Sequence, residues 1–451
     1  MSASPLALLL DDFARVLAND PGALDVDSGL YVPNLHGVAA EDVIALLQRE
    51  ILRSSDEGHL HYFSGQRGTG KSTELKRLAS MLNGHAEVRA YIVDALEYIS
   101  DTHPLDTLTL LLITAVAFAD RLAAADGLGG DAPGREEGLL ARFVRWLDTE
   151  VEISGVSVGA VKAEFRNQQQ SIVQRLRDFD MNRQERVMAD CRRYIGEMAD
   201  AVRAKWGCRK VMLAIDSLER LRGIGGEASE MFDRVVRVFD GGIGQLRIPG
   251  VHMVYAVPPY LPYLTNVKVL VRLFMLASVR VCRTPRDGRR QPREAGIHAM
   301  REVVQRRCAR WRELITEPAM DRLILASGGD LRQLLRRLLL DVLDEAYFQQ
   351  DRLPLRADDP ILDVVLRRHG KELANMVVGD EYPLLKGIAD SNDLKLNRRE
   401  DLPVAAHFFN LRVVLNYRNG EEWLDLNPLL WDLIDHWEPA ATGAGEVPAG
   451  G

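Results

Sequence analysis

A glycine-rich segment ahead of residue 74 constrains the fold of this chain more than any other feature of its sequence. It fits the pattern G-x-x-x-x-G-K-[ST] at every position, through Gly65, Gly70, Lys71 and Ser72. Residues 59–63 predict a short strand before it, and residues 74–78 predict a helix with apolar spacing after it. Between a strand and a helix, such a loop turns its backbone N–H groups toward phosphate, helped by the positive end of the helix. The segment therefore predicts a nucleoside triphosphate site.

The loop residues have distinct predicted tasks. Lys71 is expected to reach the β- and γ-phosphates, and the Ser72 hydroxyl is expected to contact Mg²⁺. Arg67 lies inside the loop and is also placed to interact electrostatically with the phosphates. The predicted phosphate-binding residues form one continuous run: Gly65, Gln66, Arg67, Gly68, Thr69, Gly70, Lys71, Ser72 and Thr73. The expected ligands are ATP and Mg²⁺.

A second nucleotide-binding signal lies at residues 211–216, where an apolar run ends in Asp216. Such a run predicts a buried parallel strand, and ligands of open α/β sheets bind at the carboxyl ends of their strands. Many core strands end in aspartate, so this pattern gains its weight from the upstream loop. Asp216 is expected to hold Mg²⁺ through its water shell, so that Ser72 and Asp216 are the predicted metal residues.

Alternating strands and helices predict an α/β fold with a parallel sheet between helical layers. Besides the strands at the two motifs, residues 88–94, 251–257 and 275–281 predict strands, and residues 105–124 predict a long buried helix. An insertion is predicted at about 127–207. It comprises a glycine-rich loop at 127–138, a β-hairpin at Val151–Phe165 and two charged helices over 171–206.

Helices dominate the predicted structure after residue 312, over 318–326, 331–348 and 360–376. Between the first two, Gly328 and Gly329 end one helix and Asp330 caps the next. Arg332 lies in the first turn of that helix, where a positive charge gains nothing from the helix dipole. Another partner is therefore expected for Arg332, and a nucleotide phosphate is one candidate.

The last folded block predicts two helices, at 382–389 and 400–409, followed by two β-like runs around Asn419-Gly420. Asn-Gly between such runs is the strongest short-range hairpin signal, and helices followed by a β-wing indicate a winged helix. The predicted organisation is an α/β P-loop NTPase core, a helical lid and a small winged-helix domain. Its boundaries are an N-terminal segment 1–30, an ATPase domain 31–282, a lid 283–378, a winged helix 379–437 and a disordered tail 438–451.

Composition restricts the compartment and the partners. The 451 residues carry a net charge of −8 with a pI near 5.8, which is unlike a protein that coats nucleic acid. The four cysteines lie far apart and indicate reduced thiols in a cytosol. The N-terminal apolar run lacks a preceding basic residue, and the apolar run 108–119 is too short to span a bilayer. A cytoplasmic protein without a membrane segment is expected.

One stretch departs from the acidic average, because residues 280–312 hold eleven arginines against three acids. One interpretation is a solvated helix face with salt bridges. The other is a basic patch, Arg286–Arg312, for nucleic acid or an acidic partner. Both stay open at the level of sequence.

The order of these parts resembles the AAA+-type P-loop ATPases, and most of all the branch of origin-recognition and STAND signalling ATPases. The resemblance rests on Gly65–Ser72, Ile215–Glu219, Gly328–Arg332 and the terminal winged helix, and it covers roughly residues 31–437. It implies catalytic roles for Lys71 and Asp216. It also implies that Arg332 is the lid arginine that touches the γ-phosphate.

Two departures from the family bear on activity. Most AAA+ motors place a glutamate directly after the strand-end aspartate, whereas here Ser217 follows Asp216 and the next acid is Glu219. This spacing is closer to the STAND pattern, in which hydrolysis is often slow and the nucleotide acts as a switch. Glu219 is the hypothesised group that positions the attacking water. The fourth strand also lacks its usual polar residue, and Arg272 is a weak candidate for an arginine finger.

Three functions are compatible with the sequence. The favoured one is a slowly hydrolysing ATP-dependent switch or assembly factor of a multi-component bacterial system, such as anti-phage defence. It would act through a separate protein effector or through self-association as an oligomer. The second is a DNA-loading ATPase of the replication-initiator or transposition-helper type. The third is a structural protein that binds ATP without turnover.

Overall fold

The computed structural model describes residues 4–37, 42–100, 105–127, 138–153, 161–220, 228–283 and 290–436. Arg286, Arg289 and Trp437, the predicted tail, and most of the predicted loop at 127–138 lie outside these ranges. The strands of the described residues are β1 Leu60–Gly65, β2 Val88–Asp94, β3 Lys210–Asp216, β4 Val251–Val257, β5 Arg272–Leu276, β6 Val414–Asn419 and β7 Glu421–Leu426.

The first five strands form one parallel sheet in the order β2-β3-β4-β1-β5, which confirms the predicted α/β class. All five strands therefore end at the same edge of the sheet. Gly65, at the end of β1, lies opposite Leu276, and Asp216, at the end of β3, lies opposite Asp94. The two predicted nucleotide-binding motifs consequently meet at this carboxyl edge, separated by β4 alone.

The helices surround the sheet and continue beyond it. Those of the described residues are α1 Pro5–Ala18, α2 Val43–Arg53, α3 Lys71–Asn83, α4 Thr107–Asp126, α5 Leu139–Glu150, α6 Val161–Asn167, α7 Gln169–Asp178, α8 Met181–Trp206, α9 Ala228–Val236, α10 Ile243–Leu246, α11 Leu261–Leu264, α12 Val267–Leu270, α13 Glu294–Arg307, α14 Glu317–Ala326, α15 Leu331–Gln333, α16 Leu339–Tyr347, α17 Pro360–Ala374, α18 Tyr382–Ser391, α19 Asp401–Leu411 and α20 Trp431–Asp435.

Side chains that alternate along the strands divide the sheet into two apolar faces. Phe63 and Met212 belong to the core that includes α2 and α3. Tyr62 and Leu213 belong to the core that includes α4, α5 and α8. The sheet is thus covered on both sides, which explains why its strands are nearly continuous apolar runs.

The predicted buried helix is α4, which is longer than the apolar run that predicts it. By length and composition alone it is able to cross a membrane, with a mean hydropathy of 1.8 over its most apolar window. However, 72% of that window is buried inside the protein, and α4 packs on α8 and β2. It is therefore the central core helix of the α/β domain.

Two predictions about secondary structure are wrong. Residues 161–165 of the predicted hairpin lie in helix α6, where Phe165 is fully buried and contacts the edge of the Tyr98 ring, while residues 154–160 lie outside the description. The fifth strand is Arg272–Leu276 and not 275–281, because pairing with β1 ends at Leu276. Beyond it, the N–H groups of Ser278 and Val279 bond to the carbonyls of Asn416 and Gly329.

The N-terminal helix α1 packs on α13 and α16, where Leu10, Phe13 and Leu17 share one core with Trp311 and Leu339. The C-terminal block contains α18, α19 and the antiparallel hairpin β6–β7. Its turn falls at the predicted Asn-Gly, where Gly420 adopts a φ of +77°. The predicted elements of this block are present.

Three histidine rings stack at the amino edge of the sheet, opposite the phosphate loop. The centroids of His61 and His252 lie 6.4 Å apart with an interplanar angle of 9°, and His59 lies next to both. His61 and His252 are buried, and neither ring nitrogen of either one has a hydrogen-bond partner among the described residues. Burial lowers the pKa of His61 to about 3 and that of His252 to about 4.

Acid should therefore destabilise the protein through these two rings. The unfolded state takes up protons below pH ~6.5 while the folded state does not, so stability is lost as pH falls from that value toward the folded pKa values. The expected loss at pH ~5 is about 2 kcal/mol per histidine. Denaturant titrations at pH ~7 and ~5 measure it, and the His61→Leu/His252→Leu variant should lose this pH dependence, whereas His85→Leu at an exposed position should keep it. Equal slopes in all three proteins would contradict the prediction.

Candidate nucleotide-binding site

The loop after β1 has the conformation that the glycine pattern predicts. Gly68 and Gly70 have φ values of +98° and +92°, which glycine adopts without strain, and Gly70 is the N-cap of α3. The Gln66 carbonyl accepts hydrogen bonds from the backbone N–H of Thr69 at 3.3 Å and from its hydroxyl at 2.8 Å. The loop is therefore a compact turn at the N-terminus of a thirteen-residue helix, which is a ready anion site.

Lys71 is held by two groups of the protein. Its ammonium donates to the Gln66 carbonyl at 2.9 Å and lies 3.2 Å from Glu219 Oε1. The side chains of Lys71 and Glu219 are only 3% and 4% exposed. The predicted phosphate-binding lysine and the predicted water-positioning glutamate are thus partners in a buried ion pair.

Asp216 and Ser72 meet at the same point of the sheet edge. The Ser72 hydroxyl hydrogen bonds to Asp216, and the N–H of Ser217 donates to Asp216 Oδ1 at 2.7 Å. Burial, reinforced by the charge of Glu219, raises the pKa of Asp216 to about 6. A hydroxyl and a carboxylate oxygen at one point are ligands that Mg²⁺ accepts, and a cation there would offset the unfavourable charge of the buried carboxylate.

The lid motif contacts the tip of the loop directly. A Cβ atom on Gly68 would lie 2.5 Å from Asp330 Oδ1 and 3.0 Å from the Cβ of Arg332, so only glycine fits there. Asp330 caps α15 as predicted, since its Oδ1 accepts from the N–H of Gln333 at 2.9 Å. Its Oδ2 pairs with Arg412 at 2.9 Å. One aspartate therefore joins the phosphate loop, the lid and the C-terminal block.

Gln66 makes a second contact with the C-terminal block. Its side-chain amide donates to the carbonyl of Val414 in β6, and its carbonyl oxygen accepts from the Ser278 hydroxyl at 3.5 Å. The side chain of Gln66 is therefore committed to β6, and a phosphate contact of this residue would have to come from its backbone N–H.

Arginines from four separate segments converge on the cleft in front of the loop. Burial and the charges of its neighbours Arg67, Arg412, Arg336 and Arg220 lower the pKa of Arg332. Among the described residues, Arg332 forms no ion pair. The cleft measures about 300 Å³ and is lined by residues that include Gly68, Lys71, Ser72, Arg67, Arg220, Arg307, Arg332 and Arg336. This concentration of positive charge is suited to a polyanion.

The segment after α1 forms the opposite wall of this cleft. Asp20 forms a buried bidentate pair with Arg307 and accepts from Arg336 through its carbonyl. Further on, the N–H of Leu24 donates to the Thr73 hydroxyl at 3.0 Å. Pro21, Leu24, Leu331 and Leu335 also line the cleft, so its lining includes apolar side chains besides the charged ones.

Sequence reasoning did not find several residues of the cleft, including Asp20, Arg220 and Arg336. Asp20 and Arg220 lie in unrelated stretches that no local motif marks, whereas Arg336 follows the predicted lid arginine, Arg332, by only four positions. Arg272 lies elsewhere, at the first position of β5 beside His61, and therefore at the amino edge of the sheet. It is 62% exposed and faces Glu50 at 3.7 Å, so within this chain it does not reach the cleft.

No family model and no curated protein matches this sequence. Among solved structures, a Walker-type ATPase of Pyrococcus abyssi is similar at 12% identity with a TM-score of 0.37, over 88% of this chain and 95% of that one. The parallel sheet and the phosphate loop at its carboxyl edge are features of this chain itself. They give it the α/β core of a P-loop NTPase.

Proposed function

We propose that this chain binds ATP with Mg²⁺, hydrolyses it slowly, and uses the bound nucleotide as a switch that sets the position of its lid and C-terminal block. The observation that carries the proposal is the convergence of Lys71, Arg67, Arg220 and Arg332 on the cleft at the phosphate loop. A triphosphate carries the charge opposite to that of these four side chains. Magnesium, held by Ser72 and Asp216, would neutralise charge on the β- and γ-phosphates.

Slow turnover is supported by the surroundings of Asp216. Its chain neighbour is Ser217, and the nearest acid that could orient water, Glu219, is paired with Lys71. A group that must first leave an ion pair is not poised as a base. This arrangement supports a nucleotide switch of the AAA+/STAND type more than a motor.

The coupling of nucleotide to domain position is supported by the contacts of the loop. Asp330 touches Gly68 and pairs with Arg412, and Gln66 bonds to Val414. A phosphate drawn to Arg332 would therefore act on a junction that three parts of the chain share. Ligand-driven closure of this kind requires that the ligand contacts both bodies, and Arg332 supplies the contact on the lid.

The Arg332→Ala variant should bind ATP about tenfold more weakly and lose compaction by ATP, since one charge-assisted phosphate contact is removed. Small-angle scattering with an ATP analogue and with ADP measures the compaction, which should be larger for the analogue. Arg337→Ala is the matched control, because Arg337 follows in the same segment but pairs with Glu372 away from the cleft. Identical wild-type curves without nucleotide, with ADP and with the analogue would refute the coupling.

A separate protein effector, or self-association, is the proposed target of the switch, within a multi-component system such as defence against foreign DNA. The charge of the C-terminal block supports a protein partner over DNA. Residues 376–437 hold eleven acids and six bases, so that 6 − 11 gives −5. Phosphate neutralisation supplies most non-specific DNA affinity, and this sign opposes it. Trp423 is buried against Tyr417, so this tryptophan stabilises the C-terminal block itself.

The second candidate, a DNA-loading ATPase, depends on the arginine-rich run. Among its described residues, most of the arginines already pair with carboxylates: Arg290 with Asp425 and Asp435, Arg301 with Asp321, Arg306 with Glu302, Arg307 with Asp20, Arg310 with Glu313, and Arg312 with Glu317. Paired arginines release few counterions from DNA. This favours the interpretation of the run as a salt-bridged surface.

ATPase assays with and without duplex DNA separate these functions. We expect slow Mg²⁺-dependent hydrolysis that DNA leaves unchanged, and no micromolar DNA binding by the full chain at low salt. DNA binding that weakens as salt rises, together with faster turnover, would instead support the DNA-loading function. Zero turnover under both conditions, with ATP bound, would support the structural role.

A further inference from the structure

Glu219 occupies a position that a nucleotide phosphate would contest. The Lys71 ammonium has three N–H donors, of which one goes to the Gln66 carbonyl, and it also forms an ion pair with Glu219 Oε1 at 3.2 Å. Lys71 is also the residue proposed to bind the β- and γ-phosphates. A triphosphate on Lys71 would therefore bring its oxygens close to a buried carboxylate, and like charges in such surroundings repel strongly.

The backbone at this point presents Glu219 to the loop. Ser217 adopts a φ of +70°, and the N–H of Arg220 closes a turn on the Ser217 carbonyl at 3.0 Å. This turn carries Glu219 from the end of β3 across to Lys71 in α3. The second carboxylate oxygen, Oε2, is buried and has no hydrogen-bond partner among the described residues. The pair is thus half satisfied, which makes it easier to exchange than a fully bonded one.

Glu219 also lines a second cavity, which has space for its carboxylate. It measures about 240 Å³ and is walled by Phe232 and Tyr260 from the α/β core and by Ala406 and His407 from α19. Arg67, Glu219 and Arg220 line both this cavity and the phosphate cleft. Glu219 therefore lies in the wall that the two spaces share, together with Arg67 of the phosphate loop and its own chain neighbour Arg220.

We propose that Glu219 competes with nucleotide phosphates for Lys71, and that nucleotide binding moves its carboxylate to the cavity under α19, beside Arg67 and Arg220. This inference rests on the proposed nucleotide site. It adds a route by which phosphate on the loop is sensed by the C-terminal block, because α19 forms the far wall of the receiving cavity. It also assigns Glu219 a role in affinity that is distinct from any role in hydrolysis.

The test measures binding of ATP and of inorganic tripolyphosphate by calorimetry. Glu219→Gln should bind both about 10- to 100-fold more tightly than wild type, because a buried competing charge is gone. Tripolyphosphate has no adenine and no ribose, so an equal gain in affinity for both ligands would show that the effect arises at the phosphates. Glu74→Gln is the matched control, since Glu74 is a buried acid of α3 that pairs with Arg77 outside the cleft. The affinity of this variant for ATP and for tripolyphosphate should equal that of wild type.

Affinity of Glu219→Gln equal to or weaker than that of wild type would overturn the inference. If this variant does not fold, Glu219→Asp takes its place, because its shorter carboxylate keeps the charge but withdraws from Lys71, and it too should bind more tightly. The hydrogen-exchange rates of the α19 amides should change when tripolyphosphate binds to wild type. Unchanged rates would overturn the proposed movement of the Glu219 carboxylate to the cavity under α19. Failure of wild type to bind ATP would refute the proposed function itself. That outcome is distinct from the outcomes that overturn only the inference about Glu219.

Discussion

The Lys71→Ala variant will lose ATP binding, with an affinity at least about 100-fold below that of wild type. Among the described residues that line the cleft, Lys71 is the one lysine, and it is the first residue of α3. Removing it deletes charge-assisted contacts to two phosphates at once. Calorimetry with an ATP analogue measures the loss, and wild-type affinity in the variant would refute the assignment of the site.

A control is needed because Lys71→Ala also leaves Glu219 buried without its partner, which by itself costs about 3–5 kcal/mol of folding stability. The double variant Lys71→Ala/Glu219→Gln removes both charges, so it should recover stability while still failing to bind ATP. Asp216→Ala is the complementary change. It should keep most of the ATP affinity and lose Mg²⁺-dependent turnover, since Asp216 faces the metal position and Lys71 faces phosphate.

The Glu219→Gln variant will stall hydrolysis, with a turnover rate about 10²–10⁴-fold below that of wild type, if Glu219 positions or activates the attacking water. Glu219 lies 3.2 Å from the lysine expected to bind the γ-phosphate. It lines both the phosphate cleft and the cavity under α19, so a carboxylate that has left the ion pair for that cavity remains at the wall of the cleft. Binding should not suffer, so the defect should appear in single-turnover assays at saturating ATP.

Glu219→Gln and Asp216→Ala are expected to be alike in turnover but different in binding, and this comparison separates their roles. Only the glutamate variant should bind tripolyphosphate more tightly than wild type. If the turnover of Glu219→Gln equals that of wild type, Glu219 takes no part in hydrolysis and its function is confined to the competition for Lys71. Protein concentration in these assays should be varied, because a rate that rises with concentration would point to a residue supplied by a second copy.

The amino-acid sequence alone determined the core of the fold and the phosphate loop. The loop pattern depends on residues adjacent in the chain, and the glycines at positions 68 and 70 are required by local backbone angles. Mostly apolar runs predicted four of the five sheet strands near their observed bounds, because strands buried on both faces tolerate little else. The capping role of Asp330 was also readable, since capping is a property of one helical turn.

Only the tertiary structure decided how distant segments combine. Period-two alternation around residues 151–165 predicted a hairpin, but burial of Phe165 against Tyr98 stabilises helix α6, Val161–Asn167, since packing overrides weak local preference. Val279 looked like the continuation of a strand because it is apolar, yet its partners are the lid core and the Gly329 carbonyl.

The site followed the same division between local and long-range interactions. Sequence spacing predicted Lys71, Ser72 and Asp216 as site residues, and the structure places all three at the carboxyl edge of the sheet. It did not reveal that Glu219 pairs with Lys71, nor that Arg220 joins Arg332 at one cleft. Those contacts link residues about 110 to 150 positions apart, and folding brings such residues together through the packing of whole elements, which no local pattern encodes.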